Sequence, residues 1–258
     1  MALMEVNFYS TVLDLTMSMQ VIIPQKGQQD GMENLESYPT LYLLHGMGGD
    51  QTSWLRKTSI ERYVEETGMA VVMPTTQLGW YTNTASGLKY WEFISEELPK
   101  ICREFFPKMS VKREETFVAG LSMGGYGAYK LALSRPDLFG AAASLSGALD
   151  MATAFDGETG WEKNAYWQGI FGEKLELHGT ENDLFTLAEK CDKDKVTRPV
   201  LYQWCGKQDF LYGQNLRAYD KFRELGYDIT TSFTDGDHNW QDWDDQIRNV
   251  IKWLVNSK

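Results

Sequence analysis

Ser122 stands at the centre of a Gly-Leu-Ser-Met-Gly stretch inside TFVAGLSMGGYGAYKLAL. A serine hydroxyl is a weak nucleophile and needs a neighbouring base to take its proton. Only three histidines are present to serve as a neutral base of that kind. His238 lies between the run ITTSFTDG and the pattern WQDWDDQIRNVIKWLV; His45 opens HGMGGD directly after TLYLL. His178, in LELHGTEND, follows no strand-like run and reads as an exposed or structurally bonded ring. The base in turn needs a carboxylate to fix its tautomer and stabilise the imidazolium. Asp209 in VLYQWCGKQDFLYG lies just past another strand-like run. Asp235 and Asp237 compete by closeness to His238, but on one short loop their side chains must turn back to reach the ring. Position and order favour Asp209.

The elements that must hold these groups can be read from periodicity. VNFYSTVLDLTMSMQVIIP alternates polar and apolar residues and predicts an N-terminal β-hairpin, followed by a polar loop over 25–37. TLYLLHG, AVVMPTT, TFVAG, AAASLSG, VLYQWCG and ITTSFTDG predict buried strands, with helices near 53–66, 90–106, 123–134, 212–225 and 240–256. In the last helix Ile247, Val250, Ile251, Leu254 and Val255 form one apolar stripe. In 90–106 the stripe is Ile94, Leu98, Ile101, Cys102 and Phe105, with Pro99 expected to kink or restart the helix. Strand–helix alternation predicts an α/β fold: a mostly parallel sheet covered on both faces, whose functional residues gather beyond the carboxyl ends of the strands. The chain reads as one domain over 1–258.

In this frame Ser122 falls at a strand-to-helix turn. Glycines at 120 and 124 remove side chains that would collide where strand meets helix, and the Met123 amide points from a helix N-terminus toward an oxyanion on the reacting carbonyl. The glycines after His45 let a loop approach a substrate closely, so the amide there is the more useful group and the His45 ring also fits a structural role. Among nine tryptophans, Trp54, Trp80 and Trp240, together with Tyr81, fall in expected loops where they would wall an acyl or aromatic group; Trp204 and Trp253 read as core.

Composition removes other classes. With 25 basic and 36 acidic residues the net charge is −11, which disfavours nucleic acid and, more mildly, a strongly anionic substrate. No apolar run has the length of a membrane span, and the first twenty residues lack a signal-peptide pattern. Cys102, Cys191 and Cys205, odd in number and widely spaced, do not suggest a disulfide framework, so a cytoplasmic location is expected. DGDHNWQDWDDQ departs from a calcium loop, with Trp240 where glycine and Gln246 where glutamate are needed. There is no zinc motif, and HGMGGD lacks the lysine of a phosphate loop, so no metal and no cofactor are expected.

With these stretches in view, the chain resembles the esterase D-like α/β-hydrolases, and within them the bacterial tributyrin esterases, which are small-ester carboxylesterases and acetylesterases. YLLHGMGGDQTSWLR, VVMPTTQLGWYTNT, EELPKICREFFP, FVAGLSMGGYGAYKLAL and WCGKQDFLY carry the resemblance over nearly the whole chain. It implies the order nucleophile Ser122, acid Asp209, base His238. It also implies an oxyanion hole from the backbone amides of Met47 and Met123, with Gly46 beside the substrate. The expected activity is hydrolysis of short-acyl esters, acetyl or butyryl and including sugar-borne ones, with a small-molecule ester as the only partner and self-association left open. Feruloyl or cinnamoyl esterases and S-formylglutathione hydrolases are similar; the latter typically carry a cysteine in the loop that reads Gly46-Met47-Gly48-Gly49 here. Acyl transfer and peptide hydrolysis would use the same machinery, and a binding protein on a hydrolase scaffold is the non-enzymatic alternative. Residues 148–182 are expected to shape the acyl pocket.

Overall fold

The computed structural model describes residues 1–25, 36–156, 164–193 and 197–256; most of the loop expected over 25–37, and 157–163 of the expected insertion, lie outside them. Eight strands form one sheet: β1 (Ala2–Ser10), β2 (Leu15–Ile23), β3 (Thr40–Leu44), β4 (Ala70–Pro74), β5 (Thr116–Leu121), β6 (Ala141–Leu145), β7 (Val200–Gly206) and β8 (Ile229–Thr234). Their order is β1-β2-β4-β3-β5-β6-β7-β8. β1 pairs antiparallel with β2, and β2 antiparallel with β4. All remaining pairs are parallel. This is the α/β-hydrolase architecture with its antiparallel hairpin at the N-terminal edge.

The helices are α1 (Ser53–Lys57), α2 (Ile60–Val64), α3 (Tyr90–Glu92), α4 (Leu98–Phe105), α5 (Met123–Ser134), α6 (Ala165–Phe171), α7 (Leu184–Lys193), α8 (Tyr212–Glu224) and α9 (Trp240–Asn256). None among the described residues is long and apolar enough to cross a membrane. The period-two alternation of the strands divides the core. Leu41, Leu43, Phe117, Ala119 and Leu121 join one cluster with Trp243, Ile247, Val250, Ile251 and Leu254 of α9. Tyr42, Leu44 and Val118 point the other way, into a cluster with α4, α5, α7 and α8. Because both faces are covered, the central strands are predominantly apolar.

Several boundaries differ from the expectations. The helix foreseen at 53–66 is two short helices, and α6 and α7 were not foreseen. β8 is an edge strand, only half-buried. Phe105 and Val255, assigned to buried stripes, are exposed, and Trp253 is half-buried. Between α3 and α4 the chain makes a π-turn over Phe93–Glu97, after which α4 begins with Pro99 in its first turn. Pro99 has no N–H for the Ser95 carbonyl four residues back. Arg135 Nη1 donates to that carbonyl instead, at 2.7 Å. The proline restarts the helix, and a side chain from the end of α5 fills the gap.

Lys130 on α5 is buried, yet its Nζ is provided for. It donates to Thr82 Oγ1 (3.0 Å) and Asn182 Oδ1 (2.6 Å) and lies 4.8 Å from the centre of the Trp91 ring. Burial pushes its ammonium down to about 7, against a smaller upward pull from Glu181. Since the folded pKa is depressed, the unfolded chain binds more protons between about 7 and about 10, and stability falls as pH drops through that window. In Lys130→Met this slope should vanish: urea titrations should show the variant gaining on the wild type as pH falls from about 10 to about 7, then running parallel below.

Candidate active site

The turn after β5 dictates the position of Ser122. A Cβ on Gly120 would lie 2.3 Å from the Gly124 carbonyl oxygen, and one on Gly124 would lie 2.5 Å from that of Leu44. No side chain fits at either place. Ser122 itself has φ 54° and ψ −119°, a strained conformation for a residue with a side chain. Its amide donates to the Leu145 carbonyl at 2.9 Å, which anchors the turn to β6.

The loops after β7 and β8 bring the other two groups. They are docked to one another: Lys207 N–H donates to Thr234 O, Gln208 N–H to Gly236 O, and Gly236 N–H to Gln208 Oε1. A Cβ on Gly206 would stand 2.2 Å from Gly236 O, so the contact needs glycine. Across this junction His238 Nδ1 is 2.8 Å from Asp209 Oδ2, and His238 Nε2 is 3.0 Å from Ser122 Oγ. With a carboxylate on one side, Nδ1–H donates and Nε2 is left to accept the serine proton. Asp235 and Asp237 are exposed. Asp237 Oδ1 accepts the backbone N–H of His238 at 2.7 Å rather than approaching the ring.

Asp209 is nearly fully buried. Burial alone would raise its pKa, but hydrogen bonds from His238, the Ser146 hydroxyl and the Leu211 amide together hold it below the usual carboxylate value. Ser146 has no counterpart in the motif reading. It lies buried just past β6, with φ 49°, and its Oγ accepts the Trp243 indole N–H at 3.1 Å. Trp243 in turn meets the His238 ring edge-on at 4.8 Å between centroids. Trp243, Ser146, Asp209 and His238 thus form a closed loop of contacts. Phe210, largely exposed, packs on His238 at 4.6 Å. Two of these were hidden for a clear reason: Ser146 belongs to a strand-end turn like many others, and Trp243 sits on the apolar side of a helix.

The loop after β3 is held through three successive carbonyls. Trp54 Nε1 donates to Leu44 O at 3.0 Å, and Tyr81 Oη to His45 O at 2.8 Å. His45 Nδ1–H and the Gly49 amide both donate to Gly46 O. The buried His45 ring, accepting the Thr76 N–H at Nε2, is therefore a structural tautomer; burial lowers its pKa and keeps it neutral. Among the described residues the Met47 N–H has no acceptor. Met123 opens α5, so its N–H has no carbonyl within the helix to bond. A cleft of about 590 Å³ lies over these groups, with Gly46, Met47, Ser122, His238 and Trp240 among its lining residues.

The other aromatics expected at the substrate are elsewhere. Trp54, Trp80 and Tyr81 are almost completely buried and line no part of this cleft. Trp54 packs behind Trp240, with ring centroids 5.4 Å apart, and Tyr81 lies where a Cβ on Gly127 would touch it. Trp80 sits among Tyr126, Trp167 and Phe171, its indole N–H donating to Tyr166 Oη. Strand-end loops here are tucked inward, so a loop aromatic becomes packing. His178 is exposed and bonds Asp156 at 3.0 Å, away from the cleft.

Removing the Ser146 hydroxyl leaves the buried carboxylate with one donor fewer and more charge to place on the imidazole. Ser146→Ala should lower kcat by about tenfold with KM little changed, and shift the acid limb of the kcat/KM profile to higher pH. Ser146→Gly, which relieves the positive φ, should show the same shift. A purely packing role for Ser146 would lower stability in urea titrations and leave the profile in place.

Comparison with known proteins identifies the family. Residues 10–254 match the family described as putative esterase. The chain is 32% identical over 265 residues to an acetyl esterase of Caldicellulosiruptor saccharolyticus, covering 98% of both chains. It superimposes with TM-score 0.89, at 33% identity and 98% coverage of each chain, on FphF, a fluorophosphonate-binding serine hydrolase of Staphylococcus aureus. The S-formylglutathione hydrolase FrmB of the same organism gives TM-score 0.86 at 34% identity, again over 98% of each chain. The chain belongs to the esterase family and is a serine hydrolase of the α/β-hydrolase fold.

Proposed function

We propose that the chain is a carboxylesterase of short-acyl esters, acetyl or butyryl and including those borne on sugars, working through an acyl-enzyme on Ser122. The observation that carries this reading is His238 bridging Ser122 Oγ at 3.0 Å and Asp209 Oδ2 at 2.8 Å. Nε2 takes the hydroxyl proton as Oγ attacks the ester carbonyl. The resulting oxyanion is received by the Met47 and Met123 amides, which are pre-aligned and cost no reorganisation. The imidazolium, stabilised by the Asp209 carboxylate, returns its proton to the departing alcohol. Water activated by the same nitrogen then attacks the acyl-serine, and the carboxylic acid leaves. Gly46 and Trp240 are assigned to substrate contact, whereas Trp54 and Tyr81 act at one remove, by holding the two successive carbonyls that lead into the oxyanion loop. The short acyl group is supported by the acetyl esterase at 32% identity. The buried, unpaired thiols of Cys102, Cys191 and Cys205 fit a reducing, cytoplasmic setting.

Ser122→Ala should cut kcat for para-nitrophenyl acetate by about a millionfold and abolish covalent labelling by a fluorophosphonate probe, with an unchanged unfolding transition. Turnover or labelling of that variant at the wild-type level would remove Ser122 from the mechanism.

A further inference from the structure

The catalytic cleft carries charge opposite to that of the molecule. Arg56 and Lys57, at the end of α1, line it together with Met47, Leu121 and Trp240, and no carboxylate is among its lining residues. Both cations are exposed, and among the described residues neither is ion-paired. The one bond recorded for either side chain is a long one, from Arg56 Nη1 to Thr52 Oγ1 at 3.5 Å. In a chain of net charge −11 with 36 acidic residues, two unneutralised cations beside the nucleophile form a local positive field. A low-dielectric wall strengthens such a field at the cleft, and Trp240, Trp243 and Leu121 provide one. Arginine offers a planar fork matched to a carboxylate, and lysine adds a movable point charge beside it.

We propose that the cleft selects carboxylic esters bearing a second, anionic group, a carboxylate, which Arg56 and Lys57 hold while Ser122 attacks the ester carbonyl. The proposal rests on the esterase reading above and adds its substrate class. The plain account of two cations at this position is favourable interaction with the carbonyl end of α1. That account predicts an effect on stability and none on choice of substrate.

The carboxylate can sit on either side of the scissile bond, and paired substrates separate the two. Monoethyl succinate against ethyl butyrate places the charge on the acyl side. Para-carboxyphenyl acetate against phenyl acetate places it on the leaving group. In the Arg56→Gln, Lys57→Gln double variant the charged-to-neutral ratio of kcat/KM should fall by about tenfold in one of the two pairs. Taking ratios cancels the intrinsic reactivity of each ester and any general loss of activity. In the wild type the same ratio should fall as salt rises from about 0.01 M to about 1 M, where the screening length shrinks from about 30 Å to about 3 Å. This second measurement needs no variant. Ratios that stay constant in both pairs, across both substitution and salt, would overturn the proposal. Absence of turnover of all four esters by the wild type would instead overturn the esterase reading beneath it.

Discussion

The contact between β5 and α5 is the constraint on which the site depends. At Gly120 and Gly124 the two backbones approach so closely that neither position can carry a Cβ. The same closeness lets Gly124 lie against the carbonyls of Leu44 and His45, bringing the start of α5 beside the end of β3. One packing event therefore sets two things at once. It sets Ser122 in its strained turn, and it brings the start of α5, which Met123 opens, against the end of β3, from which the Met47 loop leaves. A methyl group at either glycine would separate strand from helix and move every one of these groups together.

Around that contact the polar groups are satisfied in pairs that face away from the substrate. Leu44, His45 and Gly46 have their carbonyls occupied by Trp54, Tyr81 and the His45 ring, so the loop has few ways to rearrange. Asp209 is similarly committed, with donors from Leu211, Ser146 and His238 on a buried carboxylate. Burying an ionised carboxyl is costly unless it is fully bonded, and each of these donors offsets part of that cost. Ser122 and Met47, by contrast, line the cleft, the serine hydroxyl bonded only to His238 and the Met47 amide without an acceptor among the described residues.

The sequence showed the parts whose signals are local. The six strands, the Gly-x-Ser-x-Gly turn and the strand-end placement of Asp209 and His238 all follow from short-range pattern, because each is a strand followed by an abrupt change of period. What was not legible depends on packing between distant segments. Trp54, Trp80 and Tyr81 looked like loop aromatics free to meet substrate, yet the loops fold inward, and their polar edges bond the carbonyls of Leu44 and His45 or the Tyr166 hydroxyl. Ser146 and Trp243 are separated by nearly a hundred residues, and neither alone marks an active site. Helix α6 is short and contains Gly169, so it had no clean periodic signal. Lys130 lies on an otherwise apolar helix, and only the tertiary partners Thr82, Asn182 and Trp91 account for its burial.

Backbone strain is concentrated where chemistry is expected. Of the non-glycine residues with positive φ, Gln77, Trp80 and Tyr81 follow β4, Ser122 follows β5 and Ser146 follows β6. Such conformations cost on the order of 1–3 kcal/mol each and persist only when surrounding contacts over-determine them. Those contacts are visible at each place. Tyr81 is fixed by His45 O, Ser122 by Leu145 O, and Ser146 by Trp204 O together with Trp243. The partners belong to neighbouring strands and to α9, so the sheet itself holds the strained turns in register. A relaxed turn at any of these positions would be more stable locally, but it would aim its side chain away from the shared edge of the sheet. At Ser122 and Ser146 the strain is thus the local cost of bringing side chains from successive parallel strands to one hydrogen-bonded cluster, whereas at Tyr81 it is the cost of tying the loop after β4 to the His45 carbonyl.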